Sequence, residues 1–203
     1  LVPTPTLYLA IHHLKADGGV QVTGSHNPPE FNGFKMVLDG LPFAGEDIQG
    51  LRTRIEGDRF TEGSGTLRSH EVLDAYRDEV LRRVGRLPRA VRVVVDCGNG
   101  TASIAAPQLL KALGAEVIEL FCESDGTFPN HHPDPTVLHN LEDLRATVLR
   151  ERAELGIAFD GDADRIGAVD ERADVLFGDQ LLILFGRDLV RRLGPGREVI
   201  FDA

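Results

Sequence analysis

The sequence predicts an α/β protein of mixed β-sheets flanked by helices, arranged as two consecutive domains. From residue 91 onward the pattern is strand, helix, strand, which indicates a βαβ unit with parallel strands. The apolar run 155–159 indicates a further buried strand. A Gly-Arg-Leu-Pro segment ends a helix near residue 86, so we expect domains at 1–86 and 87–194, followed by a linker and a strand at 195–203.

In the first half, apolar residues at helical spacing predict helices at 8–15, 46–57 and 71–84. A short strand is expected at 20–22. The segment 32–38 begins with Asn-Gly, which is typical of a hairpin turn, and continues with the alternation of a strand. This arrangement returns the chain close to the loop that follows the first strand.

In the second half, the same patterns predict three helices and a set of strands. Pro107 lies inside the first of these helices and predicts a kink near 103–106, because proline cannot continue a regular helix. A final strand at 198–202 has no partner within the chain. The helices are expected at 101–113, 141–154 and 178–192, and the earlier strands at 91–95, 116–121, 155–159 and 165–169.

The composition is that of a globular chain, with 203 residues, 42% hydrophobic and 27% charged. A formal net charge of −10 argues against general binding to nucleic acid. The sequence contains no apolar stretch of membrane-spanning length and no recognisable signal peptide. Cys97 and Cys122 fit no metal or redox spacing, which favours two reduced thiols in a cytoplasmic protein. The chain opens at Leu1, mid-pattern, and we expect it to be a piece of something longer.

Three carboxylates alternate at Asp160, Asp162 and Asp164, and Arg165 follows them directly. In a straight strand, alternate residues lie about 6.6 Å apart, too far to share one small cation. A curled loop is therefore required for the three to converge. An all-oxygen cluster suits Mg²⁺ or Mn²⁺, and its excess negative charge predicts nearby cations such as Arg165. The alternative is a solvated acidic turn, which the triple alternation after a buried strand makes the less favoured reading.

Ser25 lies in a loop preceded by glycine and ended by prolines, with His26 beside it and Lys35 ten residues later. Alone, this serine is compatible with a hydrolase nucleophile, a phosphoryl carrier or a turn residue. Together with an acidic metal loop, phosphoryl transfer is favoured, because a phosphate on Ser25 offers the ion a further oxygen. Lys35 is either a general acid or base for a sugar hydroxyl, or a solvated surface lysine.

Two further motifs receive less specific interpretations. The Asp-Cys-Gly-Asn-Gly segment at 96–100 follows a strand, but Ser103 stands where a dinucleotide fingerprint has its third Gly or Ala. A tight strand-to-helix turn is therefore favoured. The Asn-His-His-Pro-Asp-Pro segment at 130–135 lacks the spacing of a helical zinc pair, so an ordered loop is favoured.

The segments 23–29, 32–35 and 160–165 together resemble the α-D-phosphohexomutase family, in its phosphomannomutase/phosphoglucomutase members. The resemblance runs through nearly the whole chain. It implies two consecutive α/β domains of the phosphohexomutase type, the first truncated at its start, with the strand near the C-terminus beginning a missing third domain. It also implies a phosphoserine at Ser25, Mg²⁺ bound by Ser25, Asp160, Asp162 and Asp164, catalytic assistance from His26 and Lys35, and substrate binding by Arg165.

The activity that the resemblance implies is the interconversion of hexose 1-phosphate and 6-phosphate, with mannose or glucose as the sugar, through a hexose 1,6-bisphosphate. The expected partner is a phosphorylated hexose, with no nucleic acid and no membrane; the oligomeric state is not predicted. Two alternatives stay open: a non-catalytic fragment that retains Mg²⁺ and phosphosugar binding, and a phosphoglucosamine mutase. The chain departs from the family by lacking the N-terminal Arg and the later domains, so we expect this chain itself to be inactive. Ala173 stands where the family often has Gly.

Overall fold

A computed structural model of the chain describes residues 1–28, 30–196 and 198–200. Short 3-10 turns at Thr101–Ile104 and Leu138–Leu141 supplement the regular elements. The helices are α1 (Pro5–Leu14), α2 (Glu46–Glu56), α3 (Leu73–Val84), α4 (Ala106–Leu113), α5 (Glu142–Glu151) and α6 (Gly178–Leu193). The strands are β1 (Gly18–Val22), β2 (Phe34–Leu38), β3 (Leu41–Pro42), β4 (Arg92–Asp96), β5 (Glu116–Leu120), β6 (Leu155–Phe159), β7 (Ile166–Asp170) and β8 (Val175–Leu176).

The first sheet is antiparallel, in the order β1-β2-β3, with α1 packed on one face. A side chain at Gly19 would collide with Leu7 and Ile11 of α1, so glycine lets the helix lie directly on the strand. The connection from β1 to β2 is the loop 23–33, whose ends are closed by a bond from the Thr23 N–H to the Gly33 carbonyl at 2.9 Å. The predicted Asn-Gly hairpin turn is therefore wrong, because the whole loop makes the reversal.

The second sheet is mixed, in the order β5-β4-β6-β7-β8. β4 is parallel to both β5 and β6, which confirms the predicted βαβ unit. β7 and β8 then add antiparallel, because the loop between β6 and β7 is too short for a crossover helix. The loops after β4 and β6 therefore lie at the same end of the sheet, next to the carboxyl ends of these two strands.

The main core lies where α5 covers β4 and β6. Leu144 and Val148 are spaced by one helical turn on α5 and are fully buried against Val94 and Val169. On the opposite face, α4 covers Val95 and its neighbours. The β-branched residues of β4 therefore point alternately into two apolar layers, which explains why that strand is apolar throughout.

The predicted elements of the described chain are present, with ends shifted by a few residues, and the mixed sheets flanked by helices confirm the fold class. The expected kink is also present, since the 101–113 segment divides into a 3-10 turn and α4, with Pro107 in the first turn of α4. The strand expected at 198–202 is not formed by residues 198–200, and its remainder lies outside the described residues. The two-residue strands β3 and β8 were not predicted. The domain bounds 1–86, 87–194 and 195–203 stay a prediction.

Several large apolar side chains are exposed on the first sheet and on α6, for example Val22, Phe34, Ile183 and Phe185. Across the residues that the structure describes, every helix is too short or too polar to cross a bilayer.

Candidate active site

The serine loop, residues 23–33, presents Ser25 in an unusual backbone conformation. Ser25 has a φ of 51°, in the left-handed region that L-residues other than Gly rarely occupy. The Ser25 N–H donates to the Thr23 hydroxyl at 2.8 Å, and the Asn27 N–H donates to the Gly24 carbonyl at 2.8 Å. These bonds hold the loop in the turn that exposes the serine hydroxyl.

The acidic loop, residues 160–165, is curled as predicted. Asp160 closes the curl by accepting the N–H groups of Asp164 and Arg165, each at 3.0 Å, and Ala163 turns the chain with a φ of 61°. Carboxylate oxygens of Asp160, Asp162 and Asp164 consequently lie within 4.8 Å of one another. Asp160 and Asp162 are buried, whereas the third carboxylate is more exposed.

The serine loop and the acidic loop meet directly. Ser25 Oγ lies 3.1 Å from Asp160 Oδ2 and 3.0 Å from Asp162 Oδ1. Gly161 makes this contact possible, because a Cβ atom at that position would lie 2.2 Å from the Ser25 carbonyl oxygen. Residues 135 positions apart in the chain therefore form one site.

Two cations neutralise most of the negative charge. Lys35 Nζ lies 2.6 Å from Asp162 Oδ2 and also contacts Asp164. Arg165 donates to Asp160 Oδ2 from Nε at 3.1 Å and from Nη2 at 2.9 Å. The prediction of nearby cations, Arg165 among them, agrees with this geometry. His26 also belongs to the site, with Nδ1 3.2 Å from Ser25 Oγ and in contact with Arg165 Nη2.

The charges of the site follow from burial and hydrogen bonding. Burial, and to a lesser extent the charge of Asp162, raises the pKa of Asp160 despite its bonds from Arg165. Burial also opposes the charge of Asp162, but hydrogen bonds from Lys35, Thr4 and Ser25 outweigh it and lower the pKa of Asp162. Burial likewise opposes the charge of Lys35, but its bonds to the two carboxylates raise the pKa of Lys35 above the ordinary value. Lys35 is therefore a firmly protonated ammonium.

The donor set fits a hard divalent cation. Asp160, Asp162 and Asp164 form the one cluster of potential metal ligands found in the described part of the chain, and Ser25 Oγ adds an oxygen beside it. The serine hydroxyl has one proton but faces two carboxylate oxygens, so a cation is needed to relieve the excess of acceptors. All-oxygen donors select Mg²⁺ or Mn²⁺ over softer metals.

Thr4 supports the site but was missed at the sequence level. It is fully buried, and its Oγ1 donates to Asp162 Oδ2 at 2.7 Å while its N–H donates to the Asp162 carbonyl at 2.8 Å. The only local signal is its position between Pro3 and Pro5, directly before the start of α1. Nothing in the sequence connects it to a residue 158 positions away.

The other candidate motifs have structural explanations. Gly98 and Asn99 adopt positive φ values of 48° and 58°, so the 96–100 segment is the tight strand-to-loop turn that was favoured. The 130–135 segment forms a loop without helix. Cys97 and Cys122 are both free, as expected, but their sulfur atoms lie only 3.2 Å apart because β4 and β5 are neighbours.

Comparison with known proteins identifies the family. Residues 1–62 match the family description "phosphoglucomutase/phosphomannomutase, alpha/beta/alpha domain I", and residues 74–174 match the corresponding domain II. The chain belongs to the phosphoglucomutase/phosphomannomutase family. It is 50% identical over 202 residues to a phosphomannomutase/phosphoglucomutase of Pseudomonas putida, covering 100% of this chain and 43% of that protein. It is 46% identical over 204 residues to a phosphoglucomutase of Neisseria gonorrhoeae, covering 100% of this chain and 44% of that one.

The fold of the phosphoglucomutase/phosphomannomutase family is also seen in a solved structure. A family protein from Burkholderia thailandensis superposes with a TM-score of 0.90 at 44% identity, over 95% of this chain and 43% of that one. The chain thus spans less than half the length of the relatives that it matches. The resemblance inferred from the motifs is confirmed.

Proposed function

We propose that the chain is part of a Mg²⁺-dependent phosphohexomutase that interconverts the 1- and 6-phosphates of glucose or mannose through a phosphoserine at Ser25. The observation that supports this most strongly is the position of Ser25 Oγ, 3.0 and 3.1 Å from two carboxylates of an all-oxygen cluster. The names of the most similar relatives support the same reaction class. The cytoplasmic location expected from the cysteines stays a prediction.

In the proposed reaction, the free hydroxyl of a hexose monophosphate attacks the phosphorus atom of phosphoserine 25. A new O–P bond forms on the sugar, and the P–Oγ bond of the serine breaks. The hydroxyl loses one proton and Ser25 Oγ gains one. The phosphoserine is regenerated by the reverse transfer, in which Ser25 Oγ attacks the other phosphate of the hexose 1,6-bisphosphate and the isomeric hexose monophosphate leaves. Mg²⁺ held by Asp160, Asp162 and Asp164 would neutralise charge on the phosphoryl group.

The roles proposed for the neighbouring side chains follow from their charge. Lys35 is protonated by its bonds to two carboxylates, which supports an acid role toward the reacting oxygen rather than a base role. Arg165 is anchored on Asp160 and is one-third exposed, so its guanidinium is available to a substrate phosphate. His26 is placed beside the serine oxygen, where it can receive or return a proton.

Mass spectrometry of the intact chain tests the phosphoserine directly. After incubation with glucose 1,6-bisphosphate and Mg²⁺, we expect one phosphate adduct on the wild type and on Ser64→Ala, a control in an exposed segment. Ser25→Ala should carry none, because the acceptor oxygen is gone. An adduct that persists in Ser25→Ala would contradict the assignment.

A second candidate stays open, in which these residues bind Mg²⁺ and phosphosugar without turnover. A coupled assay with glucose 1-phosphate, mannose 1-phosphate and glucosamine 1-phosphate separates the candidates. Turnover of the first two supports the proposed mutase, and preferential turnover of the third supports a phosphoglucosamine mutase. Mg²⁺ binding without any turnover supports the binding fragment.

A further inference from the structure

The histidine loop, residues 130–135, lies between the end of β4 and the serine loop. Its Pro133 is fully buried and packs so closely on Gly98 that a side chain there would be crowded. The Pro133 ring also approaches Gly161 of the acidic loop. The histidine loop therefore lies beside both loops of the site and has a fixed position relative to them.

His132 connects this loop to the serine loop. Its Nε2 lies 2.6 Å from the carbonyl oxygen of His26, the residue directly after the serine. Because a carbonyl oxygen only accepts hydrogen bonds, Nε2 must be the protonated nitrogen that donates. The side chain thus joins two segments that are 106 positions apart.

The adjacent His131 fixes the backbone from which His132 extends. Its Nε2 faces Asp96 Oδ2 at 3.0 Å, and its Nδ1 faces the His132 carbonyl at 3.0 Å. Both partners are oxygen acceptors, so both ring nitrogens donate and the ring is a cation paired with a fully buried carboxylate. The other oxygen of Asp96 accepts the Gly98 N–H at 2.8 Å, which anchors the pair to the end of β4.

The serine needs such a support because its backbone is strained. A left-handed conformation is unfavourable for a residue with a Cβ atom, and it persists only where surrounding contacts enforce it. The His26 carbonyl belongs to the peptide between His26 and Asn27, so holding it fixes the loop one residue beyond Ser25 and limits the turn that the chain can make there. It therefore restricts the direction of Ser25 Oγ toward Asp160 and Asp162.

We propose that His132 is a positioning residue, which holds Ser25 Oγ in line for phosphoryl transfer by donating to the His26 carbonyl. The inference rests on the proposed function of Ser25 as the phosphoryl carrier. His132 touches neither the serine oxygen nor the acidic cluster in the contacts described above. Its effect is on the geometry of transfer rather than on metal binding.

The test compares His132→Phe, which keeps the ring size but removes the donor, with His132→Gln, whose amide nitrogen restores a donor at similar reach. His139→Phe is the matched control, because His139 is exposed on the protein surface. The measured quantity is the rate at which each variant takes phosphate from glucose 1,6-bisphosphate with Mg²⁺, followed by intact mass.

We expect His132→Phe to slow phosphate uptake by roughly tenfold or more, as lost orientation does in other sites. His132→Gln should recover most of the rate and His139→Phe should equal the wild type. The Mg²⁺ dissociation constant and the melting temperature should be unchanged in all three. A His132→Phe variant that takes up phosphate at the wild-type rate overturns the proposal, as does a loss of rate that only follows a loss of stability.

Histidine-labelled ¹⁵N NMR of the wild type provides a readout that does not depend on transfer. We expect the His132 ring to be protonated at Nε2 and its N–H to be protected from solvent exchange. A ring protonated only at Nδ1 overturns the proposal even if transfer occurs. If the wild type shows the expected ring but takes up no phosphate, the proposed function of Ser25 fails, and the positioning role fails with it.

Discussion

At the residue scale, the site depends on close contacts, one of which leaves no room for a side chain. Gly161 approaches the Ser25 carbonyl so closely that even one methyl group would overlap it. Thr4 and Lys35 both bond to Asp162, a nearly fully buried carboxylate that would otherwise lack compensation for its charge. Individual atoms at the junction of the two loops therefore control whether the site forms.

Replacing Gly161 with alanine should separate the two loops. The added Cβ would lie 2.2 Å from a backbone oxygen, which cannot move away as a flexible side chain could. We expect a loss of about 1–3 kcal/mol in the free energy of unfolding, measured with urea, together with weaker Mg²⁺ binding. Gly65→Ala, whose surroundings are open, should leave both quantities unchanged. Equal behaviour of the two variants would contradict the close packing described here.

Replacing Thr4 with valine should weaken the metal site through Asp162. The substitution keeps the shape of a buried side chain but removes the hydroxyl that orients the carboxylate. We expect the Mg²⁺ dissociation constant, measured by calorimetry, to rise by about 10-fold or more, as for other lost supporting contacts. Thr6→Val is the matched control, since Thr6 is equally buried and its hydroxyl has no hydrogen-bond partner among the described residues. Similar weakening in both variants would show that the Thr4 hydroxyl has no specific role.

The sequence indicated the candidate reactive residues more readily than the residues that support them. Ser25 and the alternating aspartates are visible because their local pattern is itself unusual. The 130–135 segment is visible as a motif, but the roles proposed for Thr4 and His132 depend on partners 158 and 106 positions away. Such contacts are products of tertiary packing, so no local pattern could reveal them.

At the scale of elements, periodicity predicted the long helices and the central strands, because buried faces impose their spacing on the sequence. β3 and β8 have only two residues each, too few to show any period. The hairpin turn was misplaced for a different reason. Asn-Gly at 32–33 favours a turn locally, but the closure at Thr23 and Gly33 makes the whole 23–33 loop the connection.

The histidine loop should make stability depend on pH. Burial opposes the charge of His131, but its bonds to Asp96 and to the His132 carbonyl, with a smaller effect from Asp143, raise the pKa of His131. An unfolded histidine titrates near about 6.5. Because the pKa of His131 is higher in the folded state, this stabilisation is complete below about pH 6.5. It is lost as the pH rises through the pKa that His131 has in the folded state.

We therefore expect the free energy of unfolding of the wild type to fall as the pH rises above about 6.5. Asp96→Asn removes the charge that favours the protonated ring, so its stability should depend less on pH over the same window. His139→Gln serves as the control, because that histidine is exposed. Urea unfolding at a series of pH values measures all three, and an unchanged slope in Asp96→Asn would show that the Asp96–His131 pair is not responsible.

At the scale of the whole molecule, the proposed metal site joins the two halves of the chain. Its ligands come from the serine loop and from the loop between β6 and β7, so an ion bound there links the first sheet to the second. Any ligand that binds only the folded state stabilises it. A cation bound at the proposed site should accordingly act as a structural connection, in addition to the catalytic role that we propose for it.

Addition of Mg²⁺ at about 100 times its dissociation constant should stabilise the fold by about 2.7 kcal/mol, which corresponds to roughly 5–10 °C in melting temperature for a chain of this size. A chelator should reverse the shift. Asp164→Asn should reduce it, whereas Asp188→Asn, on the exposed face of α6, should not. Differential scanning calorimetry measures the shift, and an equal response of the two variants would place the ion elsewhere.

Ser25 and its carboxylate partners are far apart in the sequence, and this separation sets the order in which they are synthesised. Ribosomes add about 5–20 residues per second, so Ser25 is made roughly 7–27 s before Asp160. Throughout that interval the serine loop has neither its acidic partners nor a place for the ion. If Ser25 is the phosphoryl carrier that we propose, the nascent polypeptide cannot transfer a phosphate there until the strand before the acidic loop has left the ribosome and packed into its sheet.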